Sequence, residues 1–223
     1  MSRKTFLRIL ALALCLGVVP LLAQTPAPQK GATGATTVLI IGANGSVAKE
    51  AIAMFLQKTD VNLKLFLRNA KRLEHLKSPR VEVVEGDATD KVALTNAMGG
   101  VHVVYANLYG KNTPQMASAI IESMQAAGLK RLVWITSFGV YNGQYQEIPD
   151  SELARIASYI APHREEVRVI EASNLDYTLI RAQWFSNADE IDYELTQKGE
   201  LFKNPSARIS RKSIADLIVR LCT

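Results

Sequence analysis

Thr37-Val-Leu-Ile-Ile-Gly42-Ala-Asn-Gly45-Ser-Val-Ala48 holds the strongest structural signal in this chain. Val38 to Ile41 is a short, wholly apolar run stopped by a glycine, the pattern of a parallel strand buried on both faces. Val47 to Lys58 then has helical spacing, with Val47, Ile52, Phe55 and Leu56 close to one face. In this strand–turn–helix order a glycine at 42 permits the tight turn, and a glycine at 45 lets the backbone approach a pyrophosphate. The small Ala48 allows the helix to pack close on the strand. The helix N-terminus offers free N–H groups and a partial positive charge to phosphates. Gly42, Asn44, Gly45, Ser46 and Val47 are therefore the expected cofactor-binding residues of this turn.

Working outward, strand and helix patterns alternate. Further strands are expected at 63–67, 81–84, 101–105, 132–136 and 177–180, with a small seventh at Arg208-Ile209. Helices are expected at 91–98, at 114–127 stopped by Gly128, at 151–173 with an interruption near Pro162, and at 213–221. Regular alternation implies an α/β fold with a doubly wound parallel sheet, a single Rossmann-type domain over residues 37–223. Ligands of such sheets bind beyond the strand C-termini, where the strand order reverses.

The second strand ends in Phe66-Leu-Arg68-Asn69. An NAD-specific protein would place an acid there for the ribose 2′-OH. Arg68, with Lys71 and Arg72 close behind, can instead pair with a 2′-phosphate, so NADP(H) is favoured over NAD(H). After the third strand, Asp87 can accept from the adenine amino group, with Ala88 beside it, while Asp90 caps the next helix. Asn107, after the fourth strand, is placed beside the cofactor ribose. The basic pair Arg211-Lys212 reads as a solvated face behind a Ser210 cap.

Composition narrows the function. The 223 residues carry 26 basic and 21 acidic side chains. Arg3, Lys4, Arg8 and Lys30 lie in the first 35 residues, which hold no acid, so the remainder carries 22 basic against 21 acidic residues. That balance removes a nucleic-acid partner from consideration. The two cysteines, Cys15 and Cys222, form no metal-ligand spacing. Residues 1–23 have the build of a signal peptide or signal anchor: a basic start, then an uncharged run from Ile9 to Ala23 that is short for a membrane span. Ser2 to Arg8 resembles a twin-arginine export motif with Lys4 in the second arginine position. Residues 24–36, rich in Thr, Pro, Ala and Gly, read as a flexible linker. Export or membrane anchoring through this segment is expected, or a cytoplasmic location if translation starts near Thr36.

Gly42–Ala48, Arg68, Gly86-Asp87, Trp134-Ile-Thr-Ser137 and Leu175-Asp-Tyr-Thr-Leu-Ile-Arg181 together resemble the atypical short-chain dehydrogenases/reductases. The resemblance is to the NAD(P)H-binding, NmrA-like group that includes flavin and biliverdin reductases, and it spans about residues 37–221. It implies hydride transfer to a flavin, quinone or similar conjugated small molecule by a monomer or homodimer. The alternative it carries is a non-catalytic NAD(P)-binding sensor. Short-chain enzymes use a Ser and a Tyr-x-x-x-Lys; the matching positions here are Ser137 and Tyr159-Ile-Ala-Pro-His163, with His163 in place of the Lys. A neutral His cannot act as a fixed cation, so Tyr159 is expected to serve mainly in packing and His163 to lie at the surface or in the pocket. Ser137 is expected to contact both cofactor and acceptor. Arg181 is expected to point into the same crevice, with Gln183, Trp184 and Phe185 lining its substrate side.

Overall fold

A computed structural model describes residues 35–141, 150–204 and 206–223. The signal segment 1–23, with Cys15, and the linker up to residue 34 lie outside the described residues. Among the described residues no helix is long and apolar enough to cross a membrane.

The elements follow the order β1 (Thr37–Ile41), α1 (Ser46–Lys58), β2 (Asn62–Leu67), β3 (Val81–Glu85), α2 (Lys91–Ala97), β4 (Val103–Ala106) and α3 (Thr113–Ala126). They continue with β5 (Arg131–Ser137), α4 (Asp150–Glu171), β6 (Asp176–Ala182), β7 (Phe185–Ser186), β8 (Ile209–Ser210) and α5 (Arg211–Cys222). β1 to β6 form one parallel sheet in the order β3-β2-β1-β4-β5-β6, the doubly wound arrangement expected. Two short 3-10 turns, Ala70–Arg72 and Glu74–Leu76, replace a helix in the β2–β3 crossover. β7 and β8 pair separately.

The alternation of side chains along each strand divides the core into two layers. Val38 and Ile40 of β1, with Leu63, Leu65 and Val133, face α1 and α5 and pack on Ala51, Ile52, Phe55, Ile214, Ile218 and Cys222. Leu39 and Ile41, with Val104, Leu132 and Trp134, face the other way onto Leu94, Ile120, Met124 and Ile170 of α2, α3 and α4. The helix ends are set locally. Asp90 accepts from the Val92 and Ala93 amides at 2.9 and 3.0 Å, capping α2. Ser210 accepts from Ser213 N at 2.9 Å and caps α5. Gly128, at φ +71°, closes α3 with the left-handed turn that a side chain would strain.

α4 departs from expectation. It runs unbroken from Asp150 to Glu171 with Pro162 inside it. The proline removes one amide donor, which orphans the carbonyl of Ser158, four residues back. Ser158 is exposed, so water can take that carbonyl. The turns on either side are held by buried Ile160, Val167 and Ile170.

Candidate cofactor and substrate site

β1 and β4 are adjacent while the chain leaves β1 toward β2, so the order reverses between them and opens a crevice at their C-terminal ends. Gly42 turns the chain there at φ +80°, its amide donating to Phe66 O at 3.0 Å. Gly45 is the extended N-cap of α1 and supplies no side chain, and the first turn of α1 carries no acid. The leading amides of the helix are therefore left for an anion. Asn107 lies hard against both glycines. A Cβ on Gly42 would stand 2.2 Å from the Asn107 carbonyl oxygen, and one on Gly45 would stand 1.9 Å from Asn107 Nδ2.

Two cavities meet over this turn. The larger, about 560 Å³, is lined by Gly42, Asn44, Gly45, Arg68, Asn69, Arg72, Asp87, Ala88 and Asn107. The second, about 300 Å³, is lined by Gly45, Ser46, Val47, Asn107, Ser137, Phe138, Tyr159, His163, Trp184 and Phe185. Gly45, Asn107, Leu108 and Tyr109 line both, which makes them one groove with a polar half and an aromatic half. The residues present fit a dinucleotide: an arginine-flanked half, a glycine cradle at a helix start, and a second chamber beyond it.

In the first half, Arg68 and Arg72 line the cavity, and neither side chain makes a hydrogen bond or ion pair among the described residues. Asp87 accepts from Thr89 Oγ1 at 2.7 Å and from Thr89 N at 2.8 Å. These bonds, with the nearby Arg68 charge, hold its carboxyl below the ordinary aspartate value, so it stays an acceptor.

The second half is walled by rings. Tyr159 stacks with Trp184 at 6.5 Å between centroids, lies 5.6 Å from Tyr109, and meets His163 edge-on at 5.2 Å. Trp184 is 43% exposed and sits edge-on to Phe138. Ser137, at the end of β5, is buried, and its hydroxyl has no hydrogen-bond partner among the described residues. Burial pushes the Tyr159 phenol above its ordinary value; the neighbouring Tyr109 adds to that, and the Ser137 hydroxyl, which faces the phenol without a well-formed hydrogen bond, pulls it partly back.

Two expectations need correction. Arg181 does not enter this groove. Along β6 it alternates with Ala182, which lines the Ser137 cavity. Its guanidinium instead donates to Gln197 O at 2.9 Å, between the rings of Tyr141 and Phe202, and lines a separate cavity of about 270 Å³. His163 takes the pocket position of the two expected for it: it lines the Ser137 cavity, is 4% exposed, and its Nδ1 lies 2.9 Å from Glu166 Oε1. Arg211 is not simply solvated. It donates to Ser46 Oγ at 3.0 Å, Ser186 O at 3.1 Å and Asn187 Oδ1 at 2.6 Å, tying the start of α1 to the substrate-side segment.

Two site residues escaped the sequence. Tyr109 lies in a loop with no periodicity to orient it. Glu166 reads as a helix-surface acid, although the spacing Ile160, His163, Val167, Ile170 marks a buried stripe that includes its position.

This fold, with a glycine-turn groove at its switch point, defines a nicotinamide-dinucleotide-binding protein. A sequence profile for NAD(P)H-binding proteins matches residues 42–223, and the chain belongs to that family. It is similar to a Rossmann-fold NAD(P)-binding family protein from Shigella flexneri, with 33% identity, a TM-score of 0.70, and coverage of 85% of this chain and 87% of that one. A wide-type short-chain dehydrogenase/reductase from Veillonella parvula, solved in complex with NADP, is 26% identical with a TM-score of 0.71, covering 82% and 85% of the two chains. An NAD(P)H azoreductase of Xenophilus azovorans is 25% identical over 167 residues, which is 74% of this chain. The chain spans only 54% of that enzyme's length.

Proposed function

We propose that this protein is an NADPH-dependent oxidoreductase that passes a hydride to a flat, conjugated acceptor such as a flavin, a quinone or an azo compound. One observation carries the reading: a buried, partnerless Ser137 hydroxyl beside Tyr159, in an aromatic chamber continuous with the cofactor groove. A buried hydroxyl without a partner costs about 1–3 kcal/mol, and an acceptor atom in the chamber relieves that cost. Bound in the groove, a reduced nicotinamide supplies the hydride. Tyr159 keeps its proton at neutral pH, because burial raises its pKa, and so is available as a proton donor. Trp184, Tyr159 and Tyr109 present faces and edges suited to a planar ring system. Arg68 and Arg72, where an NAD-specific protein would carry an acid, support NADPH over NADH. The similarity to an azoreductase adds azo compounds to the acceptors worth trying.

The test is NADPH oxidation by the full chain, followed by absorbance, against flavins, quinones and azo dyes, with calorimetric NADPH binding beside it. Oxidation with one of these acceptors supports the reading. Tight binding with no oxidation of any acceptor would favour the non-catalytic sensor, and no binding would remove both.

A further inference from the structure

Arg211 brings to the cofactor groove a charge that the proposed reaction does not use. It is the first residue of α5, placed by the Ser210 cap and by the pairing of β8 with β7 just before it. Its guanidinium joins the start of α1 to the segment after β6. Nε donates to Ser46 Oγ at 3.0 Å, at the first residue of α1. Nη1 donates to Ser186 O at 3.1 Å and to Asn187 Oδ1 at 2.6 Å, and the group lies over the Phe185 ring at 5.3 Å. Among the described residues no carboxylate pairs with it; Asp189, on the same segment, is taken by Lys212.

The direction of these bonds decides what Ser46 can do. A guanidinium only donates, so Ser46 Oγ is the acceptor, and the Ser46 O–H is left to donate elsewhere. That proton has no acceptor among the described residues, and the side chain is exposed. The leading amides of α1 beside it are unfilled as well, since no acid stands in the first turn and Gly45 brings no side-chain cap. Ser46 lines the aromatic chamber and not the cavity beside Arg68. An anion resting on this helix start therefore meets the Ser46 hydroxyl, with the guanidinium one hydrogen bond behind it, at the end of the groove away from Arg68.

We propose that Arg211, acting through Ser46, is a positioning residue for the phosphate on the nicotinamide side of the cofactor. The guanidinium turns the Ser46 hydroxyl outward as a donor and adds a positive charge behind it. Its remaining bonds fix the segment that carries Phe185, a wall of the chamber, to the same point. One side chain thus sets both the seat of that phosphate and the position of the chamber wall. Arg68 and Arg72 line the other cavity and serve the adenosine end. The proposal rests on dinucleotide binding alone and stands whether or not the protein turns the cofactor over.

The test is calorimetric binding by the full chain of NADPH, NADH and 2′,5′-ADP. The last keeps the 2′-phosphate and lacks the phosphate on the nicotinamide side. Arg211→Gln is expected to weaken NADPH and NADH by the same factor, about 10-fold or more, as hydrogen bonds to charged groups do, and to leave 2′,5′-ADP unchanged. Ser46→Ala, at an exposed position where folding is not at stake, is expected to give the same pattern. The double variant should bind no more weakly than the worse of the two single variants. Unchanged NADPH affinity in either single variant overturns the proposal. So does an equal loss for 2′,5′-ADP, which a general disturbance of α5 would produce, and so does a double variant whose losses add. Failure of the unmutated chain to bind NADPH would remove the groove as a cofactor site, and the proposal with it.

Discussion

Replacing Gly42 by alanine separates two costs that the structure combines at one position. The residue sits at φ +80°, where a side chain costs about 1–2 kcal/mol. Its new Cβ would also fall 2.2 Å from the Asn107 carbonyl oxygen. That oxygen belongs to backbone, and it cannot swing aside, because Asn107 N donates to Ile41 O at 2.9 Å at the end of β1. Overpacking of this kind adds about 1–3 kcal/mol. Gly128 is the control. It has φ +71°, but a Cβ there meets nothing within 4 Å, so Gly128→Ala carries the strain without the clash. In a domain of this size each kcal/mol moves the melting point by about 2–4 °C. Gly128→Ala should therefore lower Tm by about 2–8 °C, and Gly42→Ala should lower it clearly further. Gly42→Ala should also weaken NADPH binding, which Gly128→Ala should leave alone. Thermal melts by circular dichroism and calorimetric titration measure both. Equal melting points for the two variants, or undiminished NADPH binding by Gly42→Ala, would refute the reading of the turn as tightly closed by Asn107.

Other substitutions reach other parts of the groove. Arg68→Ala should weaken NADPH binding by about 1.5–3 kcal/mol, the range for hydrogen bonds to charged groups, and leave NADH nearly untouched; equal losses by calorimetry would detach Arg68 from the 2′-phosphate. Tyr159→Phe should lower kcat by about 10²-fold while NADPH still binds, and full activity would show that the proton comes from elsewhere. Asp216 has its charge opposed by burial, but bonds from Arg220 and Tyr193 outweigh that and hold its carboxyl below the ordinary value. Its stabilisation is therefore present above the usual aspartate pKa of about 4 and lost as pH falls through the lowered value. Asp216→Asn should lower Tm at neutral pH and flatten the acid side of the Tm–pH curve; an unchanged curve would dismiss the cluster.

The sequence made the frame of the molecule legible because its signals were local. The apolar run at 38–41, the glycine turn and the Asp90 and Ser210 caps each depend on neighbours a few residues away. That Gly42, Arg68, Asp87 and Asn107 line one groove was legible for the same reason, since each follows the end of a strand. The substrate half depends on direction. Whether Arg181 faces the groove is decided by the register of β6, and one residue's difference sends it to another cavity. Pro162 argued for a break that tertiary packing overrides. Glu166 escaped notice and Arg211 was misread because charge alone suggests solvent, while their partners Trp134, Thr136, Ser46 and Asn187 are remote in the chain.

The packing of α5 on α1 has a consequence for how the chain acquires this shape during synthesis. Ala51, Ile52 and Phe55 of α1 share their core layer with Ile214, Ile218 and Cys222 of α5. A nascent chain that has reached only β6 can assemble its sheet and seat α1 on it, yet the flank of α1 that meets α5 stays uncovered until residues 211–222 arrive. Such a half-clad intermediate is the form most exposed to aggregation and most in need of a chaperone. The pairing of Val38 with Val103 across the intervening α1, β2, β3 and α2 adds to the delay, since parallel contacts of that span close slowly.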